Sequence, residues 1–122
     1  MKEIRRFEEL IKAAQEGKRE RDDGINLTLF WAYRGSKEAG NEQIDFSDVI
    51  WDYDIEAIVG TLRSEGITTF TISSSFSSLV ETLAAFEKAG AFMAGLAKVK
   101  ARYTDWRTGE AQIIPAIEME IR

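Results

Sequence analysis

The residues best suited to recognition chemistry are carboxylates concentrated between positions 38 and 62, here called the acidic segment. It carries seven carboxylates and no lysine or arginine, whereas the remaining positions hold 16 basic and 14 acidic residues. The carboxylates belong to Glu38, Glu42, Asp45, Asp48, Asp52, Asp54 and Glu56, and Phe46, Trp51 and Tyr53 lie among them. A concentrated negative field with aromatic anchors favours docking on a basic protein surface. The predicted contact residues are Asp45, Asp48, Trp51, Asp52, Asp54 and Glu56.

Two interpretations of the acidic segment stay open. Carboxylates at irregular intervals can reproduce the charge of nucleic-acid phosphates, so the segment would suit the cationic channel of a nuclease or another DNA-binding protein. In the other interpretation, Asp52 and Asp54 stabilise the start of a helix, Phe46 and Trp51 belong to the core, and the remaining acids are solvated. Capping alone accounts for several of the carboxylates.

The composition disfavours most enzymes and metal proteins. The chain contains no Cys and no His, which removes thiolate and imidazole ligands and the usual Ser-His and Cys-His nucleophilic sites. Asp52, Asp54 and Glu56 begin like a calcium loop, but Ala57 stands where that loop needs Gly, and Arg63 where it needs a bidentate Glu. We predict no catalytic residue, no metal site and no cofactor.

A serine-rich stretch gives an alternative binding site. Residues 73 to 78 read SSSFSS and lie between a predicted strand and a predicted helix. Such a turn presents backbone N–H groups and hydroxyls at the positive end of the helix, where phosphate can bind. The stretch contains no Gly, Lys or Arg, so it matches neither a P-loop nor a dinucleotide motif. The alternative function is a nucleotide sensor or sponge, and the competing role is capping and turn formation. The candidate ligand-binding residues are Ser73, Ser74, Ser75, Ser77 and Ser78.

A third candidate lies in a predicted hairpin turn at residues 104 to 109. Trp106 and Arg107 are residue types typical of interaction hot spots, and we predict that both contact a partner. The alternative is a tryptophan packed over the end of the sheet. The acidic balance of the chain, with 21 acidic and 16 basic residues, argues against direct nucleic-acid binding. The cations before the turn can instead pair across the hairpin with Glu118 and Glu120; they are Lys98, Lys100 and Arg102.

Hydrophobic periodicity predicts one α+β domain over residues 1 to 122. Three helices are expected, over 3–16, from 52 to Gly66, and from Ser78 to near Gly90. Four strands are expected, over 25–33, 67–73, 97–103 and 113–121, with an exposed loop at 35–43. The order α-β-α-β-α-β-β gives a mixed or mostly antiparallel four-stranded sheet that ends in a β-hairpin.

Three single positions carry further predictions. Gly60 inside a helix suggests close approach of another backbone, because glycine there costs about 1 kcal/mol relative to alanine. Ser78 and Glu81 match a capping box. Pro115 predicts that the last strand is at a sheet edge or bulged there.

The expected location is the cytoplasm, without membrane contact. No run approaches the roughly 18 apolar residues of a membrane span, and residues 1 to 6 lack the apolar centre of a signal peptide.

Several stretches of the chain carry a resemblance to known sequences. They are FTISSSFSS at 70–78, ETLAAFEK at 81–88, and ARYTDWRTG at 101–109 followed by IPAI at 114–117. With them, residues 51–121 resemble a family of small uncharacterised proteins of Firmicutes and their prophages and mobile elements. The resemblance implies no activity and no catalytic residues. It implies a genetic context in which small acidic proteins often bind host machinery, including defence nucleases.

The sequence therefore favours a non-enzymatic acidic binding protein of phage or mobile-element type. Its specific hypothesis is inhibition of a host defence nuclease, in the manner of an anti-CRISPR protein or a DNA mimic, through docking on a basic protein surface. The rival is the nucleotide sensor built on the serine-rich turn.

Overall fold

The computed structural model describes residues 1–18, 24–75 and 78–122, and within these ranges the chain forms four helices and four strands. The helices are α1 (Arg5–Gln15), α2 (Leu27–Ala39), α3 (Asp52–Ser64) and α4 (Leu79–Ala89). The strands are β1 (Asp45–Phe46), β2 (Thr69–Ile72), β3 (Ala91–Thr104) and β4 (Ala111–Ile121). The predicted α+β class is confirmed, with four helices where the sequence suggested three. None of the helices in these ranges has the length and apolar character that crossing a bilayer requires.

The strands form one mixed sheet in the order β1-β2-β4-β3. β1 is parallel to β2, and β4 is antiparallel to both of its neighbours. The part of β4 that pairs with β2 is short and covers residues 117–120. The pairing of β3 with β4 is longer and runs from Ala91 opposite Ile121 to Thr104 opposite Ala111. The predicted C-terminal hairpin is confirmed, and its far half continues as a two-stranded arm beyond β2.

The largest correction concerns residues 25–33, predicted as a strand but lying mostly in α2. The side chain of Asn26 caps this helix by accepting a hydrogen bond from the N–H of Leu29 at 3.0 Å. Gly40 ends it in the left-handed conformation, with φ of 77°. The expected loop at 35–43 is therefore helical up to residue 39. The buried face follows helical spacing through Leu29, Ala32, Tyr33 and Ser36.

Aromatic side chains join the sheet to the helices. Phe70 of β2 has its ring centroid 5.5 Å from Phe46 of β1 and 5.3 Å from Phe86 of α4. Phe7 of α1 packs edge-on against Tyr33 of α2 at 5.4 Å. All five are buried, and edge-to-face pairs of this kind add to the free energy of area burial. β1 is thereby fixed although it has only two residues.

Three predictions for single positions have different outcomes. The prediction for Gly60 is wrong, because among the described residues no atom outside the backbone of α3 itself lies within 4 Å of the position that a Cβ would take. Ser78 is the N-cap residue of α4, but its side chain makes no capping hydrogen bond, so the capping box with Glu81 does not form. β4 lies between β2 and β3, so it is not an edge strand as a whole. Pro115 pairs with Lys98 of β3 outside residues 117–120, the part of β4 that pairs with β2 in the described ranges, so the edge prediction holds only locally.

Candidate docking groove

Asp45, a predicted partner contact, lies inside the fold. It is 4 % exposed, and its carboxylate accepts hydrogen bonds from the hydroxyls of Thr71 at 2.7 Å and Ser73 at 2.6 Å. Its main-chain N–H donates to Oγ of Ser36 at 2.8 Å. These bonds tie β1 to β2 and to α2. The side chain therefore does not reach a partner, which corrects the prediction for this residue.

Asp54 is also engaged within the fold. Its carboxylate accepts hydrogen bonds from Nδ2 of Asn26 at 2.9 Å and from the hydroxyl of Thr28 at 2.8 Å. Asp52 and Asp54 both lie in the first turn of α3, where a carboxylate interacts favourably with the positive helix end. The N-cap residue of α3 is Trp51, whose side chain makes no capping hydrogen bond, so the capping interpretation is not confirmed for Asp54. This carboxylate instead links the start of α3 to the start of α2.

The other predicted contacts of the acidic segment lie at or just before the exposed N-terminal end of α3. Asp48, Asp52 and Glu56 are exposed, and Trp51, the residue before the helix, is 53 % exposed. The ring of Tyr53 stacks on that of Trp51 with centroids 6.2 Å apart and planes 13° apart. Within the described ranges, no group of three or more carboxylates is placed to hold a metal ion. What the structure brings together is an aromatic pair with an acidic border.

Beside this pair, a groove of about 470 Å³ opens between α2, the segment joining β1 to α3, and β3. We call it the tryptophan groove, because Trp31 of α2 and Trp51 both line it and each is 53 % exposed. Asp48 and Arg102 supply its charged groups, and the hydroxyl of Thr28 at its edge is already bonded to Asp54. The groove is therefore an aromatic surface with one ion pair, suited to binding an amphipathic side chain.

Arg102 reaches the tryptophan groove from β3 because α2 has a glycine opposite it. Its guanidinium donates to the carboxylate of Asp48 at 3.2 Å and to the main-chain oxygen of Asp45 at 3.5 Å. A Cβ on Gly35 would stand 2.3 Å from Nε of Arg102, far inside contact distance. Sequence reasoning missed this pair, although a glycine in a helix interior is the kind of signal that marks such close packing.

The predicted ion pairs of Lys98, Lys100 and Arg102 with Glu118 and Glu120 across the hairpin do not fit the strand register. Glu118 and Glu120 stand opposite residues of β3 that carry no charge. The outer edge of β3 is instead bonded by Asn41, whose Nδ2 donates to the carbonyl of Lys100 at 2.9 Å and whose Oδ1 accepts from its N–H at 2.8 Å. The amide thus acts as a partner for an edge strand.

At the hairpin tip, Trp106 is 86 % exposed and does not pack over the end of the sheet. The guanidinium of Arg107 lies 5.2 Å from its ring centroid, within range of a cation–π interaction. Neither residue is among the described residues that line the tryptophan groove. The two predicted contact regions are therefore separate surfaces.

The serine-rich turn is bonded to the sheet. The N–H groups of Ser73 and Ser74 both donate to the carbonyl of Phe46 at 3.0 Å, and the hydroxyl of Ser73 donates to the buried Asp45 carboxylate. Ser74 is 6 % exposed. These two N–H groups are thus already occupied by a protein acceptor. Of the other predicted ligand-binding residues, Ser75 and Ser78 are exposed, and Ser77 lies outside the described residues.

A second cluster of ionisable groups, missed from the sequence, joins α1 to α2. Nζ of Lys37 donates to the two carboxylate oxygens of Glu8 at 2.5 and 2.6 Å, and the hydroxyl of Tyr33 also donates to Glu8. The Lys37 hydrogen bond lowers the pKa of Glu8, while burial and the bond to Glu8 raise the pKa of Tyr33. Both pKa values thus lie further from neutral pH than the ordinary pKa values of these groups, whereas proton transfer is favoured by a pKa near neutral pH. The hydrogen bonds of this cluster join α1 to α2.

Comparison with known proteins identifies a family. The sequence model described as "Domain of unknown function (DUF7698)" matches residues 28–121. The chain belongs to the DUF7698 family. All residues that line the tryptophan groove fall within the DUF7698 match, whereas α1 and its Glu8 lie before it. The expected membership of an uncharacterised family is confirmed at this level. Neither the curated proteins nor the solved structures give a match to the chain.

Proposed function

We propose that this DUF7698 protein is a non-enzymatic binding domain that docks the tryptophan groove and its acidic border on a basic surface of another protein. One observation carries the proposal: Trp31 and Trp51 line one groove and are each 53 % exposed, and Tyr53, which stacks on Trp51, is 80 % exposed. Large aromatic side chains left in solvent beside a concave surface are typical of binding hot spots.

The charges around the groove favour a basic partner. The acidic border consists of Asp48, which lines the groove, and of Asp52 and Glu56, which are exposed at the start of α3 after Trp51. Among the described residues that line the groove, Arg102 is the cation. Because Arg102 is already paired with Asp48, the border carries a net negative charge. Such a field speeds association with a positively charged surface and weakens as salt is added.

Binding through aromatic anchors fits this surface better than mimicry of the phosphate charges of DNA. Of the five predicted acidic contacts, Asp45 and Asp54 turn their carboxylates inward, which leaves three exposed charges. Three charges give a modest field, whereas desolvated aromatic anchors contribute most of the free energy of many interfaces. A nucleic-acid-binding protein, such as a host defence nuclease, has the basic surface required and remains our specific hypothesis for the partner.

The test compares two matched charge-reversal variants. D48K/D52K/E56K reverses the acidic border, and E16K/E87K/E120K makes the same change in net charge at exposed acids elsewhere on the chain. Each protein is immobilised and used to capture partners from a lysate of the source cells at increasing salt. We expect the wild type and the control to retain one basic protein that the border variant loses, with retention falling as salt rises.

A further arm addresses the nature of the partner. W51A should lose the same protein without a change in net charge, and duplex DNA should compete for it if it is a nucleic-acid-binding protein. Circular dichroism and thermal melts of every variant establish that each is folded. Equal capture by the border variant and the control would refute docking through this surface.

A further inference from the structure

Three aromatic rings in the described part of this protein carry one of its own arginines. A guanidinium lies within about 6 Å of a ring centroid, the range of a cation–π interaction, at three places among the described residues. The pairs are Arg34 with Trp31 at 5.7 Å, Arg107 with Trp106 at 5.2 Å, and Arg122 with Phe92 at 4.7 Å. Two of these rings, Trp31 and Trp106, are exposed, and in each of the three pairs the cation is an arginine.

The Trp51–Tyr53 pair differs from these rings. The two rings stack on each other, and in the part of the chain that the structure describes no lysine or arginine lies over either of them. Tyr53 is 80 % exposed. The outer face of the stack is thus an electron-rich surface on which none of the described lysines or arginines lies.

Asp52 lies between Trp51 and Tyr53 in the chain, and Asp48 and Glu56 are each four residues from it. Asp52 and Glu56 are exposed and four residues apart in α3, so they lie on the same side of the helix as Tyr53. Asp48 is 76 % exposed, and its ion pair with Arg102 joins two groups at the surface. An exposed pair of this kind contributes about 0–1 kcal/mol, so Asp48 can exchange its partner at little cost. Ring faces bordered by carboxylates are the complement of a planar cation.

We propose that an arginine side chain of the partner stacks on the Trp51–Tyr53 pair and donates hydrogen bonds to the carboxylates beside it, Asp52 and Asp48. This inference rests on the proposed function and names the anchor residue that the docking surface selects. Arginine suits the site better than lysine, because its guanidinium is planar, stacks on aromatic faces and bonds a carboxylate through two parallel N–H groups.

The test uses short peptides and the indole N–H signals of the three tryptophans. The probes are acetylated and amidated Gly-Ser-Arg-Ser-Gly and the same peptide with lysine or citrulline in the centre. Citrulline keeps the planar shape of arginine and removes its charge. The signals in a ¹⁵N-correlated spectrum are assigned with W31F, W51F and W106F. The Trp106 signal serves as an internal control, because that ring already carries Arg107.

We expect the arginine peptide to shift the Trp51 signal in a saturable manner and to leave the Trp106 signal nearly unchanged. The lysine peptide should bind about threefold more weakly, and the citrulline peptide about tenfold more weakly. D48N/D52N should weaken the arginine peptide about three- to tenfold, while the matched E16Q/E87Q variant should bind as the wild type does.

Several outcomes would overturn the inference. One is a Trp51 signal that does not shift with the arginine peptide. Another is an arginine peptide that binds no more tightly than the citrulline peptide or the lysine peptide. A third is a Trp51 shift that follows protein concentration alone, which would indicate a second copy of the chain as the occupant. If the peptides fail while lysate capture still depends on the acidic border, the arginine anchor is wrong and the docking proposal stands. If the border variant also captures the partner as well as the control does, the arginine anchor and the docking proposal are both wrong.

Discussion

Replacing Gly35 with alanine tests the packing that positions Arg102 at the tryptophan groove. Two glycines, Gly35 in α2 and Gly60 in α3, lie inside helices and make a natural comparison. A Cβ at Gly35 would stand 2.3 Å from Nε and 2.4 Å from Cζ of Arg102, whereas a Cβ at Gly60 would have no described neighbour within 4 Å outside the backbone of α3. The same substitution therefore meets a guanidinium at one site and open space at the other.

The expected magnitudes follow from helix propensity and the Arg102 contacts. Alanine stabilises a helix interior by about 1 kcal/mol relative to glycine, so G60A should raise the free energy of unfolding by that amount. G35A gains the same term but expels the guanidinium from its ion pair with Asp48, a surface pair worth about 0–1 kcal/mol. Its net effect should be smaller than that of G60A. In an R102A background, G35A should recover the full gain.

The assay is urea denaturation followed by circular dichroism, applied to wild type, G35A, R102A, G35A/R102A and G60A. The double-mutant cycle should give a coupling of about 0.5–1 kcal/mol between positions 35 and 102. If G35A stabilises the protein as much as G60A does, in both the Arg102 and the R102A backgrounds, the proposed packing of the guanidinium on Gly35 is refuted.

Three further predictions follow from the hydrogen bonds. D45A should lower the free energy of unfolding by about 2–4 kcal/mol in urea melts, because it leaves two hydroxyl donors unpaired, whereas exposed D52A should cost less than about 1 kcal/mol; equal effects would contradict the burial of Asp45. N41A should cost about 1–2 kcal/mol and speed hydrogen exchange in the middle of β3, and unchanged exchange there would argue against the edge contact. Because the Lys37 bond lowers the pKa of Glu8, this carboxylate stabilises the fold above its unfolded pKa and ceases to do so as pH falls through its folded pKa. Wild type should therefore lose its stability advantage over E8Q on acidification, and a difference independent of pH would exclude this linkage.

The sequence predicted the elements whose signals are local. The periodicity of α1 and α3, the glycine that ends α4 and the strand pattern of the hairpin all correspond to observed elements. It failed at α2, where alternation of apolar residues from Ile25 to Tyr33 resembled a strand. The cap residues Asn26 and Gly40 were also present in the sequence, and they would have favoured the helix. The conflict is settled by burial, since Leu29 and Tyr33 face the core.

The fold brings together only part of the predicted set of contact residues, and their role in binding stays a prediction. An acidic and aromatic surface exists at the start of α3, and Trp51 is exposed beside Asp48 and Asp52. Trp31, the second wall of the tryptophan groove, was assigned to a strand and was not considered as a site residue. Arg102 was assigned to the hairpin, since nothing in the chain near it indicates Asp48, 54 residues away.

By itself, the sequence determined the α+β class, the C-terminal hairpin and the concentration of acids and aromatic rings in one segment. These properties depend on composition and on residues a few positions apart. Only the tertiary structure decided which carboxylates face the solvent. Asp45 and Asp52 are chemically identical, but Asp45 meets hydroxyls 26 and 28 residues away in the chain, and Asp52 is exposed at the first turn of a helix. The direction of a polar side chain is set by the partners that folding brings to it, and those partners carry no local signal in the sequence.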